Sequence, residues 1–215
     1  MNNFNPSIYN ESLENAKVDN YNFKVIELVN VLPQTVIDEI YQSMEDIQEG
    51  KAVVQKFVGH KAWGASPSKE QSNFLNSVMS NAVGSQMSLR EYSILRYSNE
   101  FGYKPKLFPH FDSHAHGGQR LTLDVQLNST VDWDVFVEGE RFSLKNNSAI
   151  IFAGTQQVHW RDDLELKDGD YVDILLCHFE YVPEKPLSEN QNEILEYRSH
   201  WAREELDITN KEIKL

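Results

Sequence analysis

The stretch Leu107–Asn128 reads LFPHFDSHAHGGQRLTLDVQLN. It sets His110, Asp112, His114 and His116 at every second position and then runs into a strand pattern. In an extended chain, residues two apart share a face, so His110 and Asp112 present an imidazole and a carboxylate side by side. That pair suits a ferrous ion, which accepts borderline nitrogen and hard oxygen ligands together. A site of two histidines and one carboxylate, with coordination positions left open, needs a third ligand from elsewhere in the fold. The strongest candidate is His159 in IFAGTQQVHWR, which follows the apolar strand SAIIFAG. His178, in the middle of ILLCHFEYV, reads as a half-buried strand residue with a satisfied hydrogen bond. His60 and His200 read as structural or exposed residues of helical flanks. His114 and His116 continue the alternation, but Gly117-Gly118 turns the chain directly after them, which favours a loop.

Outward from this stretch, the texture from Glu91 onward is that of short strands. EYSILRYS, QRLTLDVQLN, WDVFVEGERFSL, SAIIFAG and DYVDILLCHFEYV are rich in β-branched and aromatic residues and are punctuated by Asn, Gly and Asp. Glu138-Gly139 is placed for a hairpin turn. So many short strands in so little chain predict a β-sandwich or barrel. Upstream, FKVIELVN (Phe23–Asn30) predicts a strand. A helix follows from Pro33 to Gly50, with Val36, Ile37, Ile40, Tyr41, Met44 and Ile47 on one stripe. A second helix runs from Ser68, where Ser68-Lys69-Glu70-Gln71 fits a capping box, to a stop at Gly84. After Ser188 the pattern returns to helix, with Ile194, Leu195, Tyr197 and Trp201 facing inward. Residues 1–20 read as a loose arm.

The bulk properties bound the function. The chain has 215 residues, enough for one substantial core, so a single domain over 1–215 is expected. Its formal net charge of −13 argues against nucleic acid and against anionic membranes as partners. The lone cysteine, Cys177, lies in DILLCHF and reads as a buried small hydrophobe. No basic-then-apolar leader and no apolar run of about 18 residues is present, so a cytoplasmic location is expected.

The stretch from Glu91 to Val182 resembles the iron(II)/2-oxoglutarate-dependent dioxygenases, particularly their prolyl-hydroxylase-like branch. The matching pieces run in order as SILRYSNEFG, PHFD, LTLDVQLN, VFVEGERF, AIIFAG, VHW and DYVDILLCHFE. The resemblance implies an α+β, mainly β fold. Its core, about 91–182, would be a double-stranded β-helix (jelly roll), buttressed by N-terminal helices within 33–84 and a C-terminal helix at 188–207. It implies Fe(II), 2-oxoglutarate and dioxygen as the cofactor, cosubstrate and oxidant of a hydroxylase. His110, Asp112 and His159 match the iron ligands. Tyr97 matches a tyrosine that hydrogen-bonds the cosubstrate, and Gln126 falls where some members place a tyrosine that reaches its distal carboxylate. Read from the residues alone, Tyr97 is equally a core aromatic, and Gln126 shares with Thr122 and Asp124 a polar strand face that either lines a pocket or meets solvent.

One departure stands out. The family keeps an Arg or Lys in a Gly-x-Arg pattern at the start of the last strand, to pair with the distal carboxylate. Here Gly169-Asp170-Tyr171 puts Tyr171 there, without positive charge. The replacement is Arg161, two residues past His159 and so on the ligand's face. Its alternative is pairing with Asp162, Asp163 or Asp173. Arg96 alternates with Tyr97 and should face away; Arg120 and Lys167 are weaker candidates. Related halogenases lack the carboxylate ligand, so Asp112 favours hydroxylation over chlorination, with desaturation or ring closure left open, on an amino-acid, peptidyl or small-metabolite substrate. Two other readings stand beside this one. A cupin would use His114, His116 and His159 without 2-oxoglutarate, but no acid follows HAH until Asp124. A non-catalytic jelly-roll module would keep the fold alone. The sequence names neither the substrate nor the oligomeric state.

Overall fold

The computed structural model describes residues 23–46, 52–55, 59–64, 66–101, 104–110, 112, 119–154 and 157–181. In chain order these form β1 (Ile26–Val29), α1 (Gln34–Asp46), β2 (Ala52–Gln55), β3 (His60–Gly64), α2 (Lys69–Val83) and β4 (Ser88–Ser98). Then follow β5 (Leu107–His110), β6 (Gln119–Ser129), β7 (Val135–Val137), β8 (Glu140–Phe142), β9 (Ser148–Phe152), β10 (His159–Arg161) and β11 (Tyr171–Tyr181). The strands make two antiparallel sheets. The larger has the order β1-β9-β6-β11-β4-β3-β2 and the smaller the order β5-β10-β7-β8.

The helices end where local chemistry stops them. Ser68 Oγ accepts from the Gln71 amide at 3.1 Å while Gln71 Oε1 accepts from the Ser68 amide at 2.9 Å. This capping box satisfies two donors that have no partner inside α2. Gly84, at φ 73°, closes the other end with its N–H on the Ser80 carbonyl. The Glu138-Gly139 turn joins β7 to β8 with both residues at positive φ, 51° and 84°, the conformation whose twist matches that of a hairpin.

Strand alternation sorts the side chains onto two faces. On β6, Leu121, Leu123, Val125 and Leu127 share one core with Ile40 of α1, Leu75 and Met79 of α2, and Leu175, Cys177 and Phe179 of β11. The intervening Thr122, Asp124 and Gln126 point the other way, yet they are buried as well. They face the smaller sheet. There Val135, Val137 and Phe142 pack with Ile150 and Phe152, and Trp133 packs with Leu95, Tyr97, Val172 and Ile174. The polar stripe of β6 is therefore enclosed between the sheets.

On the helix-covered face, the fully buried Asp173 accepts two bonds from Arg96, both 2.7 Å, and one from the Tyr41 hydroxyl at 2.9 Å. A buried carboxylate survives only with such partners, and here they fasten α1 to the sheet. Arg96 thus faces away from Tyr97, as the alternation requires.

Two sequence expectations change. The β2–β3 hairpin occupies a stretch where no strand is predicted, and His60 lies on a buried strand rather than in a helical flank. The register sets it directly opposite Tyr97 on β4, with Ala62 opposite Leu95. The helix expected after Ser188 and the arm over residues 1–20 lie outside the described residues. Among the described residues, no helix is long and apolar enough to cross a membrane.

Candidate metal centre

Three segments distant in sequence converge between the sheets. β10 pairs with β5 so that His159 stands directly opposite His110 in the register. Just past β5, the Asp112 amide donates to the Gly154 carbonyl at 2.8 Å, which ties the carboxylate-bearing residue to the end of β9. His159 is buried, with Nε2 3.4 Å from Asp112 Oδ1. Its other nitrogen, Nδ1, lies 3.1 Å from the Gln157 carbonyl, so the proton sits on Nδ1 and Nε2 is turned to Asp112. The Phe152 ring, 4.6 Å away between centroids, walls one side of the imidazole.

Asp112 is held from its other oxygen. Thr122 Oγ1 donates to Oδ2 at 2.6 Å and lies 3.1 Å from His178 Nδ1. The hydroxyl has one proton, given to the carboxylate, so it accepts from His178. The chain His178–Thr122–Asp112 leaves Oδ1 aimed at His159. Gly154 makes the close approach possible: a Cβ there would stand 1.9 Å from Asp112 Oδ2 and 2.2 Å from Thr122 Oγ1. Burial by itself pushes the His159 imidazole down. The Asp112 carboxylate, the Gln157 carbonyl and the charge of Asp124 outweigh it and hold its pKa above the ordinary histidine range.

A carboxylate oxygen and an imidazole nitrogen this far apart can bind one metal ion, each at about 2 Å. Among the described residues, no three His, Cys, Asp or Glu side chains gather closely enough to hold a metal by themselves. The side chain of His110 lies outside the described residues, as do His114 and His116.

The predicted cosubstrate residues divide. Tyr97, Arg161 and Gln126 all lie between the sheets. Tyr97 packs edge-on against His60 and Trp133, at 5.0 and 4.7 Å, and burial raises the pKa of its hydroxyl. Arg161 is buried, donating to Asp124 Oδ2 at 3.0 Å and to the Trp133 carbonyl at 2.7 Å, with the Trp133 ring 5.1 Å from its guanidinium. Its acidic partner is thus Asp124, not Asp162, Asp163 or Asp173. Gln126 donates to Ser129 Oγ and the Leu144 carbonyl. Tyr171 does not join them. Val172 faces inward, so Tyr171 faces outward, its ring 4.9 Å from the Arg96 guanidinium and its hydroxyl accepting from Asn128.

Sequence reasoning put Thr122 and Asp124 with Gln126 on a face that lines a pocket or meets solvent, without giving either a role, and passed over Gly154 and the proximity of His178. The signal for His178 was present: it alternates with the inward-facing Val172, Ile174 and Leu176 and pairs across with Thr122. Several buried atoms between the sheets have no hydrogen-bond partner, namely Asp124 Oδ1, Gln126 Oε1 and both ring nitrogens of His60.

No family model matches the sequence, and no curated protein matches it. Among solved structures, the chain is similar to the non-heme α-ketoglutarate-dependent epimerase SnoN from nogalamycin biosynthesis, with TM-score 0.54 at 13% identity over 82% of this chain and 84% of that one. It is also similar to a prolyl-4-hydroxylase from Pseudomonas putida, with TM-score 0.52 at 10% identity over 74% and 93%. HygX from Streptomyces hygroscopicus, solved with nickel and 2-oxoglutarate bound, gives TM-score 0.52 at 11% identity over 73% and 82%. At such identities the likeness is one of fold: the chain shares the fold of 2-oxoglutarate/Fe(II) oxygenases, a prolyl-4-hydroxylase among them.

Proposed function

We propose that this chain is an iron(II)- and 2-oxoglutarate-dependent oxygenase, built as a single jelly-roll domain, with His110, Asp112 and His159 as its metal ligands. The observation that carries the reading is the approach of Asp112 Oδ1 to His159 Nε2, 3.4 Å, beside the strand pairing that sets His110 opposite His159. The donor set of two imidazoles and a carboxylate fits ferrous iron. Iron bound there, with 2-oxoglutarate and dioxygen, supplies the oxidising power to break an unactivated C–H bond.

The protein's own residues hold and shield. Thr122 takes up Asp112 Oδ2 and leaves Oδ1 as the single ligating oxygen. The Gln157 carbonyl fixes the ring of His159, as outer partners of metal-bound histidines do. Phe152 keeps water from one side. Arg161 is the residue for the distal carboxylate of 2-oxoglutarate, since it is the one Lys or Arg that is buried among the described residues. Tyr97 packs beside it against the same Trp133. The substrate is an amino-acid, peptidyl or small-metabolite molecule. The outcome is hydroxylation, and product analysis separates it from the epimerisation carried out by one neighbour of the same fold.

The test is anaerobic addition of Fe(II) and then 2-oxoglutarate, followed by absorbance. A weak visible charge-transfer band that appears only with both, and is lost in His159→Ala, is the expected result. Metal binding without the band favours the cupin reading. Neither metal binding nor band favours a non-catalytic module.

A further inference from the structure

We infer that Asp124 determines cosubstrate selectivity: by occupying Arg161 it strips the subsite of net positive charge, so that a 2-oxo acid whose distal group is uncharged competes with 2-oxoglutarate. The inference rests on the oxygenase reading and on Arg161 as the distal residue. Arg161 and Asp124 are both buried, 2% and 6% exposed, and their contact of 3.0 Å closes the ion pair inside the fold. A second carboxylate arriving at Arg161 would share one guanidinium with Asp124. Two anions would then face one cation where water cannot screen them.

The acceptors on the same strand point to the same conclusion. Asp124 Oδ1 is buried with no partner, and so is Gln126 Oε1 two residues along the same face. The amide of Gln126 is oriented by the Leu144 carbonyl, which only Nε2 can satisfy, so the free atom is the oxygen. Both orphans accept and neither donates. A carboxylate brings more acceptors to this wall. An amide or hydroxyl brings the donor that the wall lacks, and a buried acceptor left without one costs free energy.

The experiment titrates the full chain, loaded anaerobically with Fe(II), against 2-oxoglutarate, 2-oxoglutaramate and 2-oxopentanoate. The charge-transfer band and the thermal midpoint report binding. In the wild type, 2-oxoglutaramate should bind within about tenfold of 2-oxoglutarate. Asp124→Asn keeps an oxygen for Arg161 but removes the charge; it should tighten 2-oxoglutarate about tenfold or more and leave 2-oxopentanoate unchanged. A wild-type preference for 2-oxoglutarate above roughly a hundredfold overturns the inference, with or without a foldable variant. So does an Asp124→Asn protein that binds 2-oxoglutarate no better or more weakly. Absence of any band with all three acids overturns the oxygenase reading, and the inference with it. Bands with the wrong selectivity overturn the inference alone.

Discussion

A methyl group added at Gly154 enters the centre directly. Its carbon would stand 1.9 Å from Asp112 Oδ2 and 2.8 Å from Asp112 Cγ, where ordinary contact begins at 3.4 Å, so Oδ2 has to retreat by about 1.5 Å. The main chain cannot retreat freely, because the Asp112 amide is bonded to the Gly154 carbonyl. The carboxylate therefore rotates and gives up its 2.6 Å bond from Thr122. A hydrogen bond to a charged group is worth about 1.5–3 kcal/mol. For a chain of this size that corresponds to a melting temperature lower by roughly 3–12 °C. The larger effect falls on metal binding, since ligand positions tolerate only about 0.2 Å. Gly154→Ala should weaken Mn(II) or Ni(II) binding by about a hundredfold or more, read by calorimetry, while circular dichroism shows a folded protein. Thr122→Val removes the bond without the clash and should cost about ten- to a hundredfold. Wild-type metal affinity in both variants would refute the role given to Asp112.

Other perturbations test the surrounding structure. Arg161→Met leaves the Asp124 carboxylate buried without its cation and should lower stability by about 3–5 kcal/mol in urea titrations, whereas Arg161→Met with Asp124→Leu should recover most of the loss; a double variant no better than the single contradicts the pairing. Asp173→Ala should cost about 2–3 kcal/mol, since Tyr41 and Arg96 lose their common acceptor although Arg96 still reaches solvent. His60 is held neutral by burial, its pKa pushed down to about 4. Both folded and unfolded imidazoles are neutral above 6.5, so stability is full there and falls as pH drops from 6.5 toward 4. The total loss is roughly 3 kcal/mol. Measured on chelator-treated protein, His60→Phe should flatten that limb of the pH profile, and an unchanged limb would show that another group causes it.

Much of the fold is legible because it is local. The Ser68–Gln71 box, the Gly84 stop and the Glu138-Gly139 turn depend on neighbours within a few residues. Period-two alternation likewise gives the apolar face of β6. What alternation leaves open is whether the face carrying Thr122, Asp124 and Gln126 meets solvent or a second sheet, since that depends on strands elsewhere in the chain. The same limit hid the partner of Arg161, which lies 37 positions away. Tyr171 was misplaced because a motif position fixes distance along the chain and not the face. His60 was missed because β2 and β3 are too short to carry a period.

The most direct test of the centre is an anaerobic crystal structure of the protein soaked with Mn(II) and 2-oxoglutarate, with anomalous data to locate the metal. One peak is expected about 2.0–2.3 Å from His110, Asp112 and His159. A peak on His178 in place of Asp112, or on His114 and His116 with His159, would contradict the assignment of the ligands.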